Sequence, residues 1–207
     1  MNIEQMTQKT REALQAAQRI AVEYSNNAVE QEHLLAALSQ QQDGLIPQLL
    51  QTLGIDANAF AQAALQKVEA LPRVTGSGRD PEKIYISNDQ DRALNAAEQQ
   101  AMKDEYISVE HVFLGILQRP GKAASEIFKT FGITTERFMK QLSTVRGNQR
   151  VTSDNPEDTY NALKKYGQDL VEMAKAHKLD PVIGRDTEIR NVIRILSRKR
   201  KNNPVLI

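Results

Sequence analysis

The sequence repeats itself, and this internal repeat limits the possible fold more than any other feature. Ala and Leu residues at positions 13, 14, 16, 17 and 21 recur at 93, 94, 96, 97 and 101, an offset of 80 residues. After a two-residue deletion the offset becomes 78, so that Glu32-His33 recurs as Glu110-His111 and Gly54-Ile55 as Gly132-Ile133. A unit repeated in tandem predicts two copies of one supersecondary structure packed against each other.

The apolar residues of each copy follow the period of an α-helix. One amphipathic stripe is formed by Thr10, Leu14, Ala17, Ala21 and Tyr24, at steps of three and four. Gly54 and Asp56 have the positions of a helix C-cap and of the N-cap of the next helix. Burying a Leu or Phe side chain contributes roughly 1.5–3 kcal/mol, so neither copy should leave its apolar face in water. We therefore predict an all-α, pseudo-twofold bundle of two four-helix repeats.

Composition changes along the chain predict the domain boundaries. A helical domain over residues 1–147 contains repeat one (about 6–72) and repeat two (about 84–147), joined by an exposed connector rich in Pro and Gly. We expect a flexible linker over 148–158. The remainder, 159–207, contains an amphipathic helix and ends in the apolar stretch 204–207, which has the character of a strand buried in a parallel sheet. Since the chain supplies no such sheet, it is expected to stop in mid-domain.

Composition and charge exclude several function classes. The chain has no cysteine, which excludes disulfides, zinc fingers and a cysteine nucleophile. Lys and Arg (27) nearly balance Asp and Glu (26), so we expect no strong attraction to nucleic acid or to an anionic membrane. Neither a signal peptide nor a membrane-spanning stretch is indicated, and we expect a soluble, cytoplasmic protein.

Two local motifs allow a functional and a structural interpretation. The basic run 198–201 could bind nucleic acid or act as an import signal, but cations also suit the C-terminus of a helix, which we favour. The two Glu-His pairs could act as general acid–base pairs or hold a metal. Their repetition at helix starts instead favours packing and capping, with Ser108 as a cap. The three histidines lack a nucleophile motif, so no enzyme activity is expected within this chain.

The motifs taken together resemble one protein family. The segments EQEHLLAAL, SVEHVFLGIL and the LGI and FGI turns resemble the N-terminal repeat of the Clp AAA+ unfoldases, over about residues 6–147. DEYISVEH and ALKKYGQDL are similar to the ClpB-type disaggregase branch, and residues from Leu179 onward resemble the start of its first ATPase domain. The resemblance implies the client-recruiting part of an ATP-dependent disaggregase, in this chain without the phosphate-binding loop.

The same resemblance implies nucleotide contacts in the intact protein. Pro181, Val182, Ile183, Gly184 and Arg185 correspond to the family segment that wraps the adenine of ATP. From spacing alone the segment is more simply an ordinary turn. Because this chain would supply only one wall of the adenine slot and no phosphate-binding loop, we do not expect it to bind ATP tightly.

For client binding, we expect a groove between the copies with an apolar floor and an acidic rim. The residues that the resemblance suggests are Thr7, Asp104, Glu110 and Val112, each of which could equally serve in capping or core packing. Unfolded or aggregated proteins are the implied clients, with a homohexameric ATPase ring and a DnaK-type chaperone as partners. Two alternatives remain open: a free-standing adaptor subunit of a Clp ATPase or protease, and an ATPase in its own right.

Overall fold

A computed structural model describes residues 3–74, 84–146, 150–156, 167, 170–180 and 182–205. The chain forms two compact units, Met1–Ala162 and Leu163–Ile207. Each unit is described by itself below.

The first unit contains the eight helices that the repeat pattern predicts. Those of repeat one are α1 (Gln8–Glu23), α2 (Gln31–Ser39), α3 (Leu45–Thr52) and α4 (Ala57–Glu69). Those of repeat two are α5 (Asn88–Gln100), α6 (Val109–Gln118), α7 (Lys122–Thr130) and α8 (Thr135–Arg146). The prediction of an all-α double repeat is confirmed.

Matching residues begin and end the helices of both repeats. Thr7 caps α1 by accepting the Thr10 N–H (3.3 Å), and Ser87 caps α5 by accepting the Gln90 N–H (3.2 Å). After α3 and α7 the chain turns through Gly54 (φ 76°) and Gly132 (φ 61°), in the left-handed region that favours glycine. Asp56 then caps α4 as the sequence predicts. Equivalent helices therefore start and stop at equivalent positions.

Aromatic side chains from both repeats meet in one interior. Phe60, from repeat one, is fully buried and lies 5.2 Å from Phe131, 6.2 Å from Phe113 and 6.4 Å from Phe128, measured between ring centroids. Phe113 stacks in turn on Phe138 at 4.7 Å. Because Phe60 makes its ring contacts with the other repeat, the two repeats share a hydrophobic core, as predicted.

Two short parallel pairings cross between the repeats, and the helical periodicity did not predict them. Strand β1 (Ala28–Val29) precedes α2 and pairs with β2 (Tyr85–Ile86), which precedes α5. Met6, before α1, makes an isolated parallel bridge with Ile107, before α6. The two pairings are related by the offsets of 80 and 78 residues, so they are the same contact made twice around the pseudo-twofold axis.

Helices α5 and α6 pack closely at one glycine. A Cβ atom placed on Gly115 would lie 2.2 Å from the main-chain oxygen of Ala93 and 2.9 Å from the Ala97 nitrogen. Repeat one has Ala37 at the equivalent position, against α1. Glycine at 115 lets the two helix backbones approach more closely than any side chain would permit.

The second unit contains the helices α9 (Leu170–Lys175) and α10 (Asp186–Leu196). The predicted amphipathic face of α10 is open to solvent: Ile189, Ile193 and Leu196 are 39%, 58% and 55% exposed. Of the stretch expected to have strand character, Pro204 and Val205 belong to no strand, and Val205 is 80% exposed. Residues 206–207 lie outside the described part, as do 75–83, 147–149 and 157–166.

Candidate functional site

The cross-repeat pairings create two equivalent junctions where helix N-termini meet. At the first junction, β1–β2 joins the start of α2 to the start of α5, and the Ser87 N–H donates to Val29 O (3.1 Å). At the second junction, the Met6–Ile107 bridge joins the start of α1 to the start of α6, and the Thr7 N–H donates to Ile107 O (3.0 Å). Each junction contains one of the repeated Glu-His pairs.

A neutral histidine organises each junction. His33 Nδ1 accepts the Glu30 N–H (2.9 Å), and its Nε2 lies 3.0 Å from Asn26 Oδ1. Since Nδ1 accepts, the proton sits on Nε2, which donates to Asn26. Burial lowers the pKa of His33 to about 4, so the ring is uncharged at neutral pH. The structural interpretation of the Glu-His pairs, packing and capping, describes these contacts.

The second junction repeats this arrangement with charged groups. His111 Nδ1 accepts the Ser108 N–H (3.2 Å), and its Nε2 lies 3.0 Å from Asp104 Oδ2. Burial lowers the pKa of His111 as well. Ser108 is the N-cap of α6, and Glu110 lies in the first turn of that helix, as predicted.

Arg146, at the end of α8, pairs with two carboxylates of the second junction. Its guanidinium lies 2.7 Å from Asp104 Oδ1 and 3.2 Å from Glu110 Oε1, and the Glu110 side chain is fully buried. Burial pushes the pKa of Asp104 upward, but the hydrogen bonds from Arg146 and from the Val151 N–H hold it below its usual value. Repeat one has Val68 in place of Arg146 and Asn26 in place of Asp104.

Residues 150–156, called the strap below, cover the second junction. The Val151 N–H donates to Asp104 Oδ1 (2.7 Å), and Val151 O accepts the Glu105 N–H (2.9 Å). Asp154 O accepts the Gln8 N–H (2.9 Å), and the Asp154 carboxylate pairs with Arg11 (2.9 Å). Val151 is fully buried. These contacts hold the strap against the start of α1 and the Asp104–Glu105 segment that precedes α6. A flexible linker over 148–158 stays a prediction.

The four residues suggested for client binding belong to the second junction and its two helices, but they are withdrawn from solvent. Thr7 and Glu110 are 0% exposed and Val112 is 1% exposed, while the Asp104 side chain is 8% exposed. Thr7 caps α1, Val112 packs in the core, and Asp104 and Glu110 pair with Arg146. Client binding by these four residues stays a prediction, and in this conformation they support the junction from within.

The first junction has open clefts, which sequence reasoning missed. A cleft of about 370 Å³ is lined by Glu30, Gln31, Glu32, Leu71, Asp89, Gly121, Lys122, Ala123 and Glu126. A second, of about 460 Å³, shares Glu30 and Asp89 with it and is lined also by Asn27, Ala28, Tyr85, Ile86, Ser87 and Asn88. Tyr85 and Ile86 are 69% and 54% exposed. Two exposed apolar side chains, Tyr85 and Ile86, thus lie near the carboxylates of Glu30 and Asp89 at the first junction.

Glu32 places a buried carboxyl group in the wall of the first of these clefts, the one of about 370 Å³. The residue is 7% exposed, and burial raises the pKa of its carboxyl, with Glu30 and Asp89 adding to the effect. Two other carboxylates at the rim are paired, since Lys67 binds Glu126 (2.5 Å) and Arg92 binds Asp89. The repeat itself was a usable signal for this site, because every residue singled out in one copy has an equivalent in the other.

The segment suggested for adenine binding lies in the second unit. Val182 and Ile183 are 68% and 85% exposed, Gly184 has φ 75°, and Arg185 pairs with Glu188 (3.5 Å). Pro181 lies outside the described residues. Adenine contact by this segment stays a prediction.

No group of three or more His, Cys, Asp or Glu side chains suited to a metal ion occurs in the described part of the chain. Within the same residues, every helix is too short or too polar to cross a membrane.

Comparison with known proteins agrees with this architecture. The family profile described as Clp repeat (R) N-terminal domain matches residues 5–131. The chain belongs to the Clp repeat N-terminal domain family. The Clp repeat thus accounts for the duplicated helices and for both junctions.

Curated relatives of this Clp repeat chain are ClpB chaperones. The chaperone protein ClpB of Bacillus anthracis is 50% identical over 209 residues, covering 100% of this chain, and that of Nitratidesulfovibrio vulgaris is 49% identical over 210 residues. The chain spans 24% of the length of either relative.

Two solved structures illustrate the likeness in fold. The Hsp104 N-terminal domain from Candida albicans has a TM-score of 0.62 at 22% identity, covering 72% of this chain and 96% of that domain. The ClpD N-terminal domain from Arabidopsis thaliana has a TM-score of 0.53 at 19% identity, covering 71% of this chain and 98% of that domain. At these identities the likeness concerns the fold alone.

Proposed function

We propose that this chain is the client-recruiting N-terminal part of an ATP-dependent protein disaggregase. The observation that carries the proposal is the 50% identity to a ClpB chaperone along the whole chain. That similarity includes the residues after the repeats, which favours a part of a longer chaperone over a free-standing adaptor.

The first junction offers the contacts that recruitment of unfolded protein needs. Unfolded and aggregated proteins expose apolar side chains, which can bury themselves against Tyr85 and Ile86. The acidic rim formed by Glu30 and Asp89 favours segments that also contain Lys or Arg. The site would therefore take short extended segments with little further specificity.

The chemistry that consumes ATP belongs, in this proposal, to the whole protein. We propose that a homohexameric ATPase ring threads the clients in the cytoplasm under stress, together with a DnaK-type chaperone. Val182, Ile183 and their neighbours would contact adenine there, whereas the 207 residues alone would bind clients without binding ATP tightly or hydrolysing it.

A binding measurement tests the recruiting role. A reduced and alkylated protein that cannot fold is titrated with the 207-residue chain, and the same protein in its native, disulfide-bonded form is the control. We expect binding to the unfolded form and none to the native form. Absence of binding to the unfolded form, or equal binding to both, would contradict the proposal.

A further inference from the structure

The second junction already holds a polypeptide segment without helix or strand, namely the strap of this same chain. Two main-chain N–H groups anchor it: that of Glu105 donates to Val151 O and that of Gln8 donates to Asp154 O, each at 2.9 Å. The two acceptors lie three residues apart in the strap. The second junction therefore shows how a junction of this fold binds a peptide.

At the first junction the equivalent anchors are unused. Asn27 is equivalent to Glu105 and Asn88 to Gln8. Within the part of the chain that the structure describes, neither Asn27 N–H nor Asn88 N–H has a hydrogen-bond partner. Both residues line the open cleft of about 460 Å³. The surface that the strap covers at one junction is thus exposed, with two free donors, at the other.

The charges beside these anchors are inverted between the junctions. Lys9 and Arg11 follow the Gln8 anchor, and Arg11 binds the carboxylate of Asp154 in the strap. Their equivalents beside Asn88 are Asp89 and Asp91. Even the helix-surface pairs are reversed, since Lys9 lies beside Glu12 and Asp89 beside Arg92. A segment that suits the first junction should therefore have a cation where the strap has Asp154.

We propose that the first junction binds a polypeptide segment in the way that the second junction holds the strap, with an apolar residue followed three positions later by Lys or Arg. The inference rests on the proposed recruiting function and specifies which client segments the site takes. The apolar residue packs near Tyr85 and Ile86, and two main-chain carbonyls of the segment accept the Asn27 and Asn88 N–H groups. The cation of the segment lies beside Asp91, which does not line the cleft itself but lies in the first turn of α5, next to it. The strap of a second copy is a poorer occupant, because its Asp154 would face Asp91.

Two seven-residue peptides and a charge-reversal variant test this arrangement. One peptide has the strap sequence 150–156, and the other has the same sequence with Asp154→Lys. Binding to the isotope-labelled 207-residue chain is followed by amide NMR shifts. We expect the Asp154→Lys peptide to bind about fivefold more tightly, the range of one solvent-exposed ion pair, with shifts at Asn27 and Asn88. The strap of the labelled chain itself keeps the second junction occupied during the titration.

The variant Asp91→Arg reproduces the charge of Arg11 and should reverse the preference, so that the unaltered strap peptide binds more tightly. Glu98→Arg makes the same charge change at an exposed site near the end of α5 and should leave the preference intact. Equal affinity for both peptides, an unchanged preference in Asp91→Arg, or shifts confined to other residues would overturn the inference. If the peptides do not bind while the unfolded protein does, only this inference is contradicted. If neither binds, the proposed recruiting function is contradicted as well.

Discussion

Asn26 and Asp104 have equivalent positions in the two repeats, and each lies 3.0 Å from the Nε2 atom of its repeat's histidine. The amide of Asn26 leaves the first junction without added charge, and its Nδ2 donates to Pro72 O (3.1 Å). The carboxylate of Asp104 brings in Arg146 and accepts the Val151 N–H of the strap. One difference between amide and carboxylate thus accompanies an open junction in one repeat and a covered one in the other.

The buried His33 predicts that the domain loses stability in mild acid. The pKa of His33 is about 4 in the folded chain and near 6.5 when unfolded, so between these values only the unfolded chain binds the proton. Stability is therefore lost as pH falls from about 6.5 toward 4, by about 2 kcal/mol at pH 5. Urea unfolding at pH 7 and pH 5 measures this loss, which should shrink in His33→Gln. The same substitution at the exposed His177, His177→Gln, is the control. Equal pH dependence in His33→Gln and wild type would contradict the assignment of this loss to His33.

Removal of Arg146 should strongly destabilise the second junction. Arg146→Met leaves the Asp104 and Glu110 carboxylates without their shared cation in a largely buried site, which costs about 3 kcal/mol or more of unfolding free energy. The matched change Lys9→Met breaks the partly exposed Lys9–Glu12 pair and the Lys9 Nζ hydrogen bond to Gln42 O (3.2 Å), and it should cost about 1 kcal/mol or less. Urea unfolding of both variants compares the two values. Similar losses in both would show that Arg146 does not serve the buried cluster.

Much of this architecture could be predicted from the sequence, because it follows from repetition and helical period. The repeat offsets of 80 and 78 residues, together with the helical period, predicted eight helices, the Gly54 and Gly132 turns and the shared interior. The β1–β2 and Met6–Ile107 pairings were not predicted, since contacts two residues long leave no periodic signal. The contacts of the strap were not predicted, because its polar composition does not reveal that Asp104 and Gln8 bind its main chain.

The location of the open site could not be predicted for a related reason. Asp104 and Glu110 are acidic and lie near a helix junction, as we expected of a client groove, but their sequence neighbourhood does not show that Arg146 and the strap cover them. Exposure depends on which chain segments return to a junction, which is a tertiary property. Comparing the charges of Lys9 and Arg11 with Asp89 and Asp91 would have indicated from sequence that the junctions differ.

The close contact at Gly115 predicts an unusual response to alanine. In an ordinary helix, Gly→Ala gains up to about 1 kcal/mol from helix propensity. At Gly115 the added Cβ would lie 2.2 Å from the Ala93 main-chain oxygen, so α5 and α6 must separate, which costs about 1–3 kcal/mol. We expect Gly115→Ala to be destabilising in thermal unfolding. A raised melting temperature would mean that the helices can adjust without loss of packing.

The shared interior of the two repeats is the claim on which the equivalence of the junctions depends, and Phe60→Ala tests it most directly. The substitution removes the ring that contacts Phe113, Phe128 and Phe131 of repeat two and should cost about 3–5 kcal/mol. Met139→Ala, at a 45% exposed position on α8, is the control. Hydrogen exchange of the α2 and α6 amides is then compared with wild type. The shared core predicts that protection falls by the same factor in both helices; wild-type protection in α6 with loss confined to α2 would contradict it.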